Sequence, residues 1–396
     1  MHLLVTWPAL LWLAWWLGER AQTRGLPRVS VYVAVGLLAS VVAPVPTLVD
    51  GSVLALLAQL ALALVLFELG HRIQLRWWRA NPWVATAALL QGLVLFALLG
   101  WAGGWLGLAP EVRWLLAAVA VAASPASLLR VVNDLRAGGQ VTERALHQAA
   151  LLSVLAVLLV KAVSAYWFVS RAGDWLAALL ASGYALVASV GLGVALAVVL
   201  GLLMRGPFTA PVVPTVGYAL ALLWLTVVAD ALKLSPLLAA LSFGVVLRER
   251  QTLTAAVQRD FGALGWLLGV FLFVYVGSRM TWAALVEPGV WAVAALVLGA
   301  RLLVPVGINA ALAWPGGTSV RKGVLTGVTL WPMSALTLLL LERSVALGVA
   351  PATAVLHQLS AALLWAELLG PLVAAWALRA AREAAVAAAP RSNSGG

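Results

Sequence analysis

An all-α polytopic membrane protein of about thirteen transmembrane helices is the fold class this sequence predicts, and three observations carry it. Hydrophobic residues make up 64% of the 396 residues and charged residues only 10%, against about 25% charged in an ordinary soluble domain. Runs of roughly 20 apolar residues recur along the whole chain, each long enough to cross a bilayer core of about 30 Å. The basic residues gather on one side of those runs, as the positive-inside rule requires.

The spans read as 3–18, 29–46, 52–70, 83–107, 112–132, 145–170, 175–203, 212–233, 235–247, 261–279, 288–312, 321–341 and 353–378. The ninth is short, and Pro236 opens it. With the N-terminus outside and the C-terminus cytoplasmic, 18 of the 25 Lys and Arg fall in cytoplasmic connections or the tail. Five lie in outside connections, and Lys161 and Arg301 lie within spans. The net charge of +11 is therefore explained by membrane topology, with no call for a nucleic-acid partner. The first run, Leu3 to Gly18, has no basic segment before it and no small-residue cleavage site after it. It reads as a retained span, not a signal peptide. The absence of Cys excludes disulfides, thiol chemistry and cysteine metal sites.

Thirteen spans divide as six, one and six. Residues 1–170 then form a first inverted repeat, 171–206 a connecting span, and 207–379 a second inverted repeat. Residues 380–396 read as a short disordered cytoplasmic tail. Proline supports the division. Pro125 and Pro332 interrupt the fifth span of each half, flanked by Ser124 and Ser127 in one and by Ser334 in the other. Pro125 lies 12 residues past Arg113 and Pro332 lies 11 past Arg321, so both sit about 16–18 Å deep. A proline inside a helix removes a hydrogen bond, and ordinary kinking explains a single one. Matched interruptions in two halves point instead to a transporter's substrate site, made of two crossing broken helices.

Several stretches resemble the monovalent cation:proton antiporter superfamily, in its branch of bacterial sodium/proton exchangers and potassium-efflux proteins. They are Leu66-Phe67-Glu68-Leu69-Gly70, Ala123-Ser124-Pro125-Ala126-Ser127 and Arg130-Val131-Val132-Asn133-Asp134-Leu135 in the first half. In the second half they are the run from Ala239 to Leu247, Phe271 to Gly277, Gly327 to Pro332, and Glu367-Leu368-Leu369-Gly370-Pro371. The resemblance implies an elevator-like exchanger, usually a homodimer, in the bacterial cytoplasmic (inner) membrane. It would exchange a monovalent cation, Na+ or K+, for protons, using carboxylates beside the crossing. It places the superfamily's acidic pair at Leu152 and Ser153, neither of which titrates. Ser153 offers a neutral oxygen, either to a cation or to its own helix backbone. The Pro-Arg-Gly-Glu pattern of the second broken helix is replaced by Pro332-Met333-Ser334-Ala335. Arg301 aligns with a Lys or Arg that the superfamily keeps beside its carboxylates.

Depth singles out the remaining charges. Arg301 lies 13 residues past Pro288, about 20 Å into its span, where an unpaired charge costs several kcal/mol. Glu367, 14 residues past Thr353, is the most central acid left. An Arg301–Glu367 pair is expected, with a packing carboxylate as the alternative. The candidate ion and substrate site is thus Ser124, Pro125, Ser127, Ser153, Arg301, Pro332, Ser334 and Glu367. Glu68 is expected to pair with Arg72 four residues on, and Lys161 to snorkel outward. Asp230 and Glu342 mark outer span ends, and His147 and His357 have no ligand partners at metal spacing. Gly100/Gly104, Gly265/Gly269 and Gly323/Gly327 predict close helix packing, and the 20 Trp residues suit interfacial belts. No phosphate loop, nucleotide-binding domain, cofactor motif or acid–base constellation suggests an enzyme. Two other readings stay open: a same-fold transporter of another solute, such as an anion drawn to Arg301, and a non-transporting membrane partner or sensor.

Overall fold

Proline sets where many of the helices begin. In the computed structural model, which describes residues 2–42, 53–73, 75–170, 175–203, 212–250, 255–279, 282–333, 335–346 and 348–384, five helices open on it. These are α5 (Pro82–Trp105), α6 (Pro110–Ala120), α7 (Pro125–Leu135), α11 (Pro236–Glu249) and α13 (Pro288–Ala311). At a first helical position the missing N–H removes no bond. The other helices are α1 (His2–Thr23), α2 (Arg28–Val42), α3 (Val53–Arg72), α4 (Leu75–Ala80), α8 (Gln140–Ser170) and α9 (Trp175–Leu203). They continue with α10 (Val212–Ala231), α12 (Ala255–Ser278), α14 (Val320–Thr329), α15 (Ala335–Ala346) and α16 (Ala352–Ala380).

A helix, or a broken pair of helices, lies on each expected segment. Short α4 and a 3₁₀ turn at Trp282–Val286 were not anticipated. Among the described residues, six helices are long and apolar enough to cross a membrane by themselves, including α3, α5, α13 and α16. Trp12, Trp105, Trp314 and Leu303 are exposed on the outer surface.

The helices group into two bundles. In one, α2 lies against α12 and α3 against α11. Each contact is sealed by a reciprocal pair of glycines. A Cβ on Gly36 would sit 2.1 Å from the Val274 oxygen, and one on Gly277 would sit 2.2 Å from the Val33 oxygen. Gly70 and Gly244 stand the same way, each 2.3 Å from a main-chain oxygen, of Leu241 and Phe67 respectively. Only a residue without a side chain lets the backbones approach so closely. In the other bundle, α5 packs on α6 and α8, while α13 packs on α14 and α16. Gly323 and Gly327 there press on the α13 backbone at Asn309 and Val306, and Gly100 and Gly104 receive Trp114 and Arg113. Gly265 and Gly269 instead face the side chains of Glu68 and Arg130.

Both expected interruptions occur. The chain unwinds between α6 and α7 and between α14 and α15, and an isolated antiparallel bridge joins Ala123 to Met333 where the two breaks meet. Because the breaks run antiparallel, the C-termini of α7 and α15 point to opposite ends of the molecule. Each end is tied to the first bundle. At α7, Asp134 meets Arg28 at 3.0 Å, Arg130 meets Glu68 at 3.5 Å, and Arg72 donates to Asn133. Glu68 and Arg72, expected as a pair, stay near enough to interact electrostatically. The direct contacts of both go instead to partners on another helix, which can offer better directions than the next turn. At α15, Glu342 accepts from Arg279 at 2.6 Å and from the Tyr275 hydroxyl at 3.0 Å, while Arg343 meets Asp230 at 3.0 Å.

The tail read as disordered from 380 begins with a docked residue. The Glu383 carboxylate accepts from the backbone N–H groups of Val141 and Thr142, both at 2.8 Å, and from the Thr142 hydroxyl at 2.9 Å. It caps the positive end of α8. Residues 385–396 lie outside the described residues.

Candidate functional site at the helix crossing

A broken helix leaves carbonyls without partners at the end of its first half. At this crossing Arg301 of α13 supplies the donors. Its Nε donates to the Trp331 oxygen at 3.2 Å, and its Nη2 to the Leu330 and Pro332 oxygens at 3.1 and 2.8 Å. Its Nη1 donates to the Ala120 oxygen, the last residue of α6. One buried guanidinium therefore closes the negative ends of both first half-helices, α6 and α14. The Thr337 hydroxyl adds a bond to the Val119 oxygen at 3.1 Å, and the Trp331 indole donates to the Leu298 oxygen at 3.0 Å. Neither contact has a signature in the sequence.

Arg301 and Glu367, expected as a pair, lie near enough to interact electrostatically, but without a direct contact: Glu367 is in none of the salt bridges among the described residues. Arg301 is held by main-chain oxygens, which compete with a carboxylate for the same donors. Glu367 is fully buried, and neither carboxylate oxygen has a hydrogen-bond partner among the described residues. Three residues on, a Cβ at Gly370 would come within 2.7 Å of the Pro332 Cβ. Glu367 therefore lies one turn from the contact between α16 and the second break.

The second half-helices present their positive ends to the same place. Pro125 opens α7, and the Ser124 hydroxyl caps it by accepting from the Ser127 N–H at 3.3 Å. The Ser127 hydroxyl is fully buried and has no partner among the described residues. Since α7 packs on α16, an unpartnered hydroxyl and an unpartnered carboxylate stand on adjacent helices beside the crossing. Pro332 sits in the unwound segment itself. Ser334 lies outside the described residues.

The profile of the transmembrane sodium/hydrogen exchanger family matches residues 9–379. The chain belongs to the sodium/hydrogen exchanger family. Two solved structures of the sodium proton antiporter MjNhaP1 from Methanocaldococcus jannaschii are similar to it. One, at pH 8, has a TM-score of 0.67 with 16% identity over 96% of each chain. The other, from electron microscopy, has a TM-score of 0.76 with 16% identity over 98% of this chain and 99% of that one. Identity this low shows a shared fold. Among curated proteins, none matches the chain in sequence. Membership and the apolar helices together make it a multi-pass membrane protein of a transporter family.

This member of the exchanger family departs from the expected site at α8. Leu152 is buried apolar packing, and the Ser153 hydroxyl donates to the Ala149 oxygen at 2.8 Å in its own helix. Ser153 thus bonds its own helix backbone and keeps its lone pairs, the atoms a cation would use. Polar residues that went unremarked in the sequence form a closed ring instead. Gln91 donates to Gln148 at 2.9 Å, Gln148 to Asn309 at 2.7 Å, and Asn309 back to Gln91 at 3.0 Å, all buried. The ring joins α5, α8 and α13, and three amides in apolar spans were the signal that could have revealed it. His147 bonds the Glu143 carbonyl and His357 meets Glu287. Among the described residues, no group of three or more His, Cys, Asp or Glu could hold a metal ion.

Proposed function

We propose that this protein exchanges a monovalent cation, Na+ or K+, for protons, with Glu367 as the carboxylate that binds them in turn. The observation that carries this reading is Glu367 itself, fully buried at the crossing with both oxygens unpartnered. A carboxylate there can hold a cation or a proton but not both, and that competition couples the two fluxes. The unpartnered Ser127 hydroxyl on the adjacent helix α7 would supply a neutral oxygen ligand, and the positive end of α7 favours the ionised acid when the cation leaves. Arg301, closing the negative half-helix ends, keeps the crossing open to a single carboxylate charge.

The proposal includes thirteen spans with the N-terminus outside, and inverted repeats over 1–170 and 207–379 joined by 171–206. The paired contacts α2–α12 and α3–α11, each with its reciprocal glycines, support that symmetry. Under it, α8 and α16 are counterparts, so the titrating acid stands in the second repeat where the superfamily's stands in the first. An elevator-like motion of one bundle against the other, a homodimer and a bacterial cytoplasmic membrane complete the reading. Transport of an anion drawn to Arg301 is not favoured, because four carbonyls already occupy its guanidinium.

Purified protein in liposomes loaded with a pH-sensitive dye tests this. A sodium or potassium pulse is expected to move protons, and Glu367→Gln to abolish that movement while the protein still reconstitutes. Proton movement of undiminished size in Glu367→Gln removes Glu367 from the mechanism. No cation-dependent signal in the wild type overturns the exchange reading as a whole.

A further inference from the structure

Away from the crossing, a cavity of about 240 Å³ opens between α8 and α15 of one bundle and α3, α9 and α11 of the other. Its wall is largely aliphatic, with Val157, Leu237 and Leu339 among the lining residues. Two cations line it as well, Lys161 and Arg343, near enough to repel one another. Arg343 shares its charge with Asp230. The neighbouring acid, Glu342, is held by Arg279 and Tyr275. Lys161 has no acidic partner among the described residues. The N-terminus of α11 at Ser235 and Pro236 turns a helix's positive end to the same space.

The cavity therefore carries about one uncompensated positive charge against an apolar wall. An ammonium in such surroundings is unfavourable unless an anion or water accompanies it. We propose that this cavity binds an aliphatic monocarboxylate. Its carboxylate pairs with Lys161 and Arg343, and its tail lies along the aliphatic wall. A dianion is a poorer match because Asp230 already neutralises one of the two cations. The volume is equivalent to about eight waters at roughly 30 Å³ each, enough for a medium-length chain. Lying between the bundles, the occupant touches both. The site is separate from Glu367 and does not depend on which ion is exchanged.

Isothermal titration of the purified full-length protein with octanoate tests the proposal, with n-octanol and acetate as the uncharged and tail-less controls. Octanoate is expected to bind saturably, and at least about tenfold more tightly than either control, a difference of about 1.4 kcal/mol. Lys161→Gln should weaken octanoate by a similar factor, and Lys161→Arg should retain it, with melting curves showing both variants folded. Octanoate bound no better than octanol, or equally well by Lys161→Gln, overturns the proposal. Where octanoate binds, displacement by oleate-containing vesicles assigns the ligand to the membrane, and failure of that displacement assigns it to a soluble acid.

Discussion

The Nη2 of Arg301 donates to the Pro332 carbonyl at 2.8 Å, fastening α13 to the break in the second broken helix. The same side chain reaches the end of the first broken helix at Ala120. A charge deep in a membrane protein is usually read as a ligand or as half of an ion pair. Here it completes the backbone of two interrupted helices, and the acid beside it is left without a hydrogen bond.

Replacing Arg301 should therefore damage the fold before it damages selectivity. Arg301→Ala leaves four carbonyls without their donor, and each buried acceptor so abandoned costs about 1–3 kcal/mol. A loss of at least ~3 kcal/mol is expected, read as a marked drop in melting temperature in detergent. Arg301→Lys keeps the charge but loses the planar fork, and should fall between. An unchanged melting temperature in Arg301→Ala would show that the carbonyls find other partners.

Glu367→Gln should behave in the opposite way. The carboxylate has no hydrogen bond to lose, and a neutral amide is easier to bury than an ionised acid. Stability should stay the same or rise while exchange disappears. A variant that is destabilised by more than about 1 kcal/mol, on the scale of an ordinary hydrogen bond, would mark Glu367 as a structural residue, held by packing or by the charge of Arg301.

Gly370 is the contact that holds α16 at the break. A Cβ there meets Pro332 at 2.7 Å, on a proline that cannot bend away. Gly370→Ala is expected to cost about 1–3 kcal/mol by overpacking and to slow exchange. Full stability with full flux in that variant would show that α16 tolerates displacement from the crossing.

The ties at the C-termini of α7 and α15 hold opposite ends of the molecule. Because the chain has no Cys, a single S164C placed in the cavity near α15 reports access without background. Glu342→Gln, which weakens the bonds from Arg279 and Tyr275, should raise maleimide labelling of that position several-fold. Asp134→Asn at the far end should not. Equal labelling in all three proteins would exclude a gating role for the α15 tie.

The amide ring offers a test of coupling. Asn309→Leu strands Gln91 and Gln148 and should cost about 2 kcal/mol, whereas replacing all three by leucine should recover much of that loss. Additive losses in the triple variant, measured by melting, would show that the three amides act separately.

The apolar runs, the bias of Lys and Arg, and the matched prolines were legible because each follows from local chemistry. Lipid demands apolar surface, and a proline removes a helix hydrogen bond. Pro125 and Pro332 mark the two breaks, while Pro305 and Pro371 lie inside unbroken α13 and α16. Those features placed the long helix segments and both interruptions, though not short α4 or the 3₁₀ turn, and depth singled out Glu367 and, with the resemblance, Arg301. Their relationship was not legible. Hydrogen-bond partners such as the Ala120 and Leu330 oxygens belong to the backbone, which every residue carries, so no residue type announces them. Glu68 chose Arg130 over Arg72, and Glu383 reached α8 from the tail, because partners are selected by distance and direction in space. The sequence by itself determined a helical membrane transporter scaffold with two broken helices. Only the tertiary structure decided that Arg301 serves the backbone and that Glu367 is the unpartnered acid at the crossing.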